Sequence, residues 1–275
     1  MEIKIALAQM AIALGRPDRN ADAARGLAAQ AAAQGAELIL LPELWPTGYD
    51  LGQADRYAAP LGEGPFALMA KLARMHQVYI AGTALEANPS GLPFNTAALY
   101  GPNGDLMGAY HKVHLFPPMG EREHMTPGSA LPTFDLPWGR TALAVCYDLR
   151  FPELWRLYTT AGAHLILIPA EWPVRRVEHW RLLLRARAVE NQIFVAGCNR
   201  AGTDSDGEFG GHSAVVDPWG RVLVEGAAEP GLFCTSLDLG EVRRNRRLLP
   251  FLDDRRPDVY SSQAEHPDSS IVARV

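Results

Sequence analysis

The chain has 275 residues, with 26 Lys and Arg against 31 Asp and Glu, giving a formal net charge of −5. Its residues are 48% hydrophobic and 21% charged, which excludes disordered, collagen-like and coiled-coil classes; a chain of this length buries about 75% of its unfolded surface, enough for one large core. Mild acidity does not suit a nucleic-acid-binding surface, and the cluster Arg243, Arg244, Arg246 and Arg247 is short.

The predicted elements alternate. Residues 3–9 form a buried strand, residues 18–34 an Ala-rich helix stopped by Gly35, and residues 37–42 a second buried strand. A helix over 65–77 places Leu68, Met69, Leu72 and Met75 on one face. Strands follow at 78–85 and 96–100, then the turn Gly101-Pro-Asn-Gly104, with strand-like residues resuming from Leu106. The second half repeats the theme: strand 141–146, helix 152–162, strand 165–168, helix 176–192, then strands 193–198, 213–216, 222–225 and 232–237. Apolar strands alternating with amphipathic helices predict an α/β fold whose sheets are covered on both faces. No Gly-, Ser- or Pro-rich linker interrupts the pattern, so one domain over 1–275 is expected, with the tail from about residue 253 on the surface or on a partner subunit.

Three cysteines are too few, and odd in number, for a disulfide framework. A reducing compartment is expected. The first ten residues read as a strand and no apolar run approaches the ~20 residues of a membrane helix. The expectation is a cytoplasmic protein without membrane or nucleic-acid partners.

Three residues sit where an apolar strand ends, the place where α/β folds build sites. Glu43 follows the strand in Leu41-Pro-Glu-Leu-Trp45; apolar neighbours would raise its pKa and suit it as a general base, the alternative being a surface carboxylate. Lys112 opens the block Lys112-Val-His-Leu-Phe116; it either snorkels to water or points inward to stabilise an oxyanion. Cys146 lies between strand 141–146 and the helix that starts at Pro152. Backbone N–H groups and the helix dipole there would lower a thiol pKa, whereas an inert buried cysteine is the commoner case. Cys198 and Cys234 fall within strands and fit that inert role.

Glu, Lys and Cys in this order and context resemble the nitrilase superfamily of carbon–nitrogen hydrolases. The likeness rests on Leu41-Pro-Glu43, His111-Lys-Val-His-Leu-Phe116 and Cys146-Tyr-Asp-Leu-Arg-Phe-Pro-Glu153, and extends through Pro169-Ala-Glu-Trp-Pro173 and Asn199-Arg-Ala-Gly202. The sequence after Cys146 is most similar to the omega-amidase and Nit-type branch. The resemblance implies a four-layer α-β-β-α sandwich, dimers paired through a helical face (here the helix 176–192 and the tail), and no metal or organic cofactor. It also implies a second Glu near the Lys, for which Glu121 fits better than Glu123.

The implied chemistry is amide hydrolysis through a thioester. Glu43 moves the proton of Cys146 to departing ammonia and then activates water. Lys112 and the Tyr147 N–H hold the oxyanion, and Glu121 orients Lys112 or the substrate. Tyr147, Arg150, Glu171 and Trp172 are candidate substrate-binding residues. Arg150 either binds a substrate carboxylate or pairs with Asp148 or Glu153. Competing readings are a Cys–His hydrolase using one of His111, His114, His124, His179 and His212, a zinc site of His111, His114 and His124, and a non-catalytic interaction protein on the same fold. Omega-amides, deaminated glutathione, aliphatic amides and carbamoyl compounds all remain open as substrates.

Overall fold

The computed structural model describes residues 2–260. The first half builds strands β1 (Glu2–Gln9), β2 (Leu38–Leu40), β3 (Tyr79–Glu86), β4 (Phe94–Tyr100) and β5 (Leu106–His111), with helices α1 (Pro17–Ala33), α2 (Ala54–Tyr57), α3 (Gly64–His76) and α4 (Glu121–His124). The second half builds β6 (Thr133–Leu136), β7 (Gly139–Leu143), β8 (Leu165–Ala170), β9 (Phe194–Asn199), the hairpin β10 (Ala201–Asp204) and β11 (Gly207–Gly210), then β12 (Ala214–Val216), β13 (Val222–Glu225) and β14 (Gly231–Asp238). Its helices are α5 (Pro152–Thr160), α6 (Val177–Asn191) and α7 (Gly240–Leu248).

Two six-stranded sheets result, in the orders β14-β1-β2-β3-β4-β5 and β13-β12-β9-β8-β7-β6. Each has a parallel centre, β1-β2-β3 in one and β7-β8-β9 in the other, flanked by antiparallel strands. The return of β14 to β1, in the register Glu2 with Asp238 through Gln9 with Gly231, closes the first sheet with a late segment of the chain.

The side-chain alternation of a strand explains the layers. Along β1, Ile3, Ile5 and Leu7 enter the core between the two sheets with Leu143, Leu165, Leu167 and Val195. Ala6 and Ala8 face the other way, onto Ala24, Ala28 and Ala31 of α1 and Phe66, Met69 and Leu72 of α3. Small alanines on both surfaces let α1 lie close to the sheet. On the far side, Trp155 and Tyr158 of α5 and Trp180, Leu184 and Ala188 of α6 join the core of the second sheet. The architecture is the four-layer α-β-β-α sandwich that the resemblance implied.

Three elements escape the sequence pattern. β6 and the hairpin β10–β11 are short and half-exposed, and α7 is almost wholly polar, with Val242 and Asn245 its buried residues. The strand expected over 141–146 ends at Leu143, and Cys146 begins a 3-10 turn, Cys146–Arg150. Of the tail from residue 253, the part to 260 is half-buried or exposed, and the remainder lies outside the described residues. Among the described residues no helix is long and apolar enough to cross a membrane.

Candidate active site

The parallel strands bring their carboxyl-terminal ends to one edge of the sandwich, and the site is assembled there. Glu43 follows β2 on a turn in which Leu44 has φ +37°. The Thr83 hydroxyl of β3 accepts the Leu44 N–H at 2.7 Å. Gly82 lets the turn approach, because a Cβ there would lie 2.8 Å from Leu41 Cβ. Lys112 follows β5, its N–H bound to the Asn95 carbonyl at 2.9 Å.

Cys146 follows β7 with φ +41°, a left-handed backbone that costs a non-glycine residue of order 1–3 kcal/mol and persists only when the surroundings hold it. Asp148 supplies that hold. Its Oδ2 accepts the Val145 N–H at 2.8 Å and the Tyr110 hydroxyl at 2.8 Å. Its Oδ1 accepts the His114 N–H at 3.1 Å and lies 2.8 Å from His114 Nδ1.

The charged side chains converge without any exposed surface. Lys112 Nζ donates to Glu43 Oε1 at 2.8 Å and to Glu121 Oε1 at 2.5 Å. Asn95 Nδ2 donates to Glu43 Oε1 at 2.9 Å, and the Glu171 N–H to Glu43 Oε2 at 3.0 Å. Glu121 also accepts the Tyr49 hydroxyl at 2.6 Å and the Phe116 N–H at 2.7 Å. Every oxygen of these two carboxylates is therefore bound, as buried charge requires. Glu121, the first residue of α4, turns inward, while Glu123 is exposed; the geometry selects between the two.

Electrostatics distinguish the resting state from the sequence expectation. Burial, then the Glu43 charge, pushes the Cys146 thiol well above its ordinary pKa, with Lys112 opposing. The expected lowering at the strand–helix junction is outweighed, and Cys146 rests as a thiol. Glu43 is the carboxyl whose charge acts most strongly on it. Burial works against the Lys112 ammonium, but Glu121 and Glu43 hold its pKa above the ordinary lysine value. Burial raises Glu121 despite Lys112.

Cys146 opens onto a cavity of about 160 Å³ lined by Tyr147, Arg150, Trp172, Arg176, Phe116 and Phe209 among others. Tyr147, Arg150 and Trp172 thus stand where the sequence reading placed them. The expected pairing of Arg150 with Asp148 or Glu153 is absent: Asp148 is engaged by the nucleophile turn, and the Arg150 guanidinium stacks 4.7 Å from the Trp172 ring centroid. Glu171 also lines the cavity, but its carboxyl is already engaged. Its carboxylate accepts from Arg200 Nη1 at 2.6 Å, and its N–H donates to Glu43. Burial raises its pKa to about 8 against the pull of Arg200.

The competing readings do not assemble. His111 faces Glu86 at 2.9 Å and His114 faces Asp148, each stacked on a different phenylalanine. His212 meets Glu225 at 3.1 Å, and His179 lies 3.5 Å from Arg150. Tyr49, Asn95 and Arg176 were not singled out from the sequence. The first two meet their partners across separations of 72 and 52 residues, which no local pattern reports.

Comparison with known proteins agrees with this geometry. The family model described as "Carbon-nitrogen hydrolase" matches residues 4–247. The chain is 39% identical to the 2-oxoglutaramate amidase of Bacillus subtilis, covering 94% of this chain and 100% of that protein. It is 32% identical to human omega-amidase NIT2, covering 96% and 99%. Among solved structures, XC1258 of Xanthomonas campestris, a CN-hydrolase superfamily protein with an arsenic adduct in its active site, superposes with TM-score 0.87 at 29% identity, covering 93% and 98%. A variant of the amidase from Nesterenkonia sp. AN1, with acrylamide added to its active-site cysteine, superposes with TM-score 0.80 at 31% identity, covering 88% and 99%. The chain belongs to the carbon–nitrogen hydrolase family of the nitrilase superfamily.

Proposed function

We propose that the protein is a thiol amidase that hydrolyses the terminal amide of a small linear acid, with Cys146 as nucleophile. The observation that carries this reading is a cavity-facing thiol whose electrostatic neighbours are Glu43 and Lys112, with Lys112 shared between Glu43 and Glu121. An amide is a poor electrophile with a poor leaving group, and a covalent intermediate divides the problem. Glu43 takes the thiol proton as sulfur attacks the carbonyl carbon. Lys112 Nζ and the Tyr147 N–H receive the oxyanion, each worth about 3–4 kcal/mol in comparable sites. The C–N bond then breaks as Glu43 returns the proton to nitrogen, and ammonia leaves. Water, deprotonated by Glu43, cleaves the thioester to release the acid and restore the thiol. Glu121 stays on Lys112 throughout and keeps its ammonium aimed.

The relatives named for 2-oxoglutaramate and for omega-amides support an omega-amide of a dicarboxylic acid as substrate. An ammonia-release screen over such omega-amides, deaminated glutathione, aliphatic amides, carbamoyl compounds and a nitrile tests the reading. Omega-amides are expected to be hydrolysed fastest; dominant nitrile turnover would overturn it. A homodimer is the proposed assembly, supported by the exposure of Leu182 (66%) and Val189 (45%) on α6, and light scattering tests it.

A further inference from the structure

The wall of the Cys146 cavity carries two guanidinium groups, Arg150 and Arg176, that are half-buried and have no carboxylate partner among the described residues. Each lies over an aromatic ring: Arg150 is 4.7 Å from the Trp172 centroid and Arg176 is 5.3 Å from that of Phe116. Stacking fixes the plane of a guanidinium and leaves its N–H edge to meet an acceptor; on Arg150, Nη2 lies 3.5 Å from the ring nitrogen His179 Nδ1. Arg176 is further anchored through its main chain, since its carbonyl accepts the Trp172 indole N–H at 2.7 Å. Two like charges, brought together and partly stripped of water, are costly unless an anion joins them. Burial first, and then the charges of Arg175 and Arg150, lower the Arg176 pKa, which records that cost. Of the three acidic residues lining the cavity, Glu171 is held by Arg200, while Asp206 and Glu208 are exposed on the hairpin β10–β11 and pair with neither arginine.

We propose that Arg176 is a specificity-determining residue which, with Arg150, forms a clamp for the distal carboxylate of the substrate. The clamp rests on the amidase reading and deepens it. Its geometry explains why a cavity with an apolar, aromatic lining prefers an anionic omega-amide. The carboxamide occupies the floor at Cys146, the methylene chain meets the aromatic wall, and the carboxylate meets the guanidinium edges. Arg176 touches no reacting atom, so its effect belongs to binding and not to the acyl transfer. A neutral amide of equal length gains nothing from it.

The test compares glutaramate, the monoamide of a five-carbon dicarboxylic acid, with neutral pentanamide, in the full-length wild type and in Arg176→Gln. Arg176 is on a turn and half-buried, and thermal midpoints check that the variant folds. Loss of a charge-assisted pair predicts that KM for glutaramate rises about 10- to 100-fold, with kcat nearly unchanged and both constants for pentanamide unchanged. Arg176→Lys, a charge without a fork, is expected to restore part of the loss. A variant that weakens both amides alike, or leaves glutaramate untouched, would overturn the clamp. Calorimetric titration with glutarate, which lacks an amide, reads the clamp without turnover. Its affinity falls by a similar factor in Arg176→Gln; equal affinity for both proteins counts against the clamp. If the wild type binds glutarate through Arg176 but releases no ammonia from any amide, the amidase reading fails and the clamp stands.

Discussion

Two buried ionic clusters flank the end of β8, each with one cation between two carboxylates. In the first, Lys112 stands between Glu43 and Glu121. In the second, Arg200 stands between Glu171 and Asp204. They are joined by the Glu171 N–H on Glu43. The cations differ in what they can still do. Lys112 is a compact point charge beside a buried thiol at the cavity floor. Arg200 spends its fork on Glu171, Asp204 and the Ile12 carbonyl at 2.7 Å, with its face 4.0 Å from the Phe209 centroid. A spherical ammonium can address a new oxyanion while holding its carboxylates, whereas a planar fork committed to fixed oxygens braces them. On the proposed mechanism the first cluster performs chemistry, while the second fastens the hairpin β10–β11 to the end of β8.

Substitutions can break this distinction, and the largest effects fall in the first cluster. Glu43→Gln retains the shape but cannot accept a proton, and ammonia release is expected to fall about 10²–10⁴-fold. Lys112→Met removes one oxyanion donor, for a loss of about 10²–10³-fold in kcat, and leaves Glu43 and Glu121 facing each other. In the second cluster, Arg200→Met strands two carboxylates and should cost about 3–5 kcal/mol in urea unfolding, with a smaller effect on turnover of the folded fraction. Arg200→Met that abolishes turnover at unchanged stability would show that the two clusters act as one.

The smallest effect is a pH dependence. Glu171 titrates near pH 8 in the folded protein against an ordinary value of 4.5. The folded state thus holds its proton more tightly than the unfolded state. Stability from this group is full below the ordinary value and is lost as pH rises to about 8. Wild-type thermal midpoints should decline relative to Glu171→Gln across that window; a constant difference would place the carboxyl in an ordinary environment.

The layers were legible because buried strands and amphipathic helices leave period-two and period-3.6 patterns, as in β1 and α1. Glu43, Lys112 and Cys146 were legible as polar residues at the ends of apolar strands. What was not legible was tertiary. The choice of Glu121 over Glu123 depends on which residue of a single helical turn faces Lys112. Asn95 reaches Glu43 only because β4 runs antiparallel beside β3. The raised pKa of Cys146 reverses the local expectation, since burial and the Glu43 charge exceed the effect of the turn. Arg176 was only the first residue of the helix expected over 176–192; the fold sets it against Phe116.

The central claim is that Cys146 forms the acyl bond. Acid quenching of the wild-type enzyme during turnover of an omega-amide, followed by peptide mass spectrometry, reads that bond directly. The expected result is the acyl mass on the peptide containing Cys146 and on neither Cys198 nor Cys234, with no ammonia released by Cys146→Ala. Acylation at another residue, or sustained ammonia release by Cys146→Ala, would contradict the account.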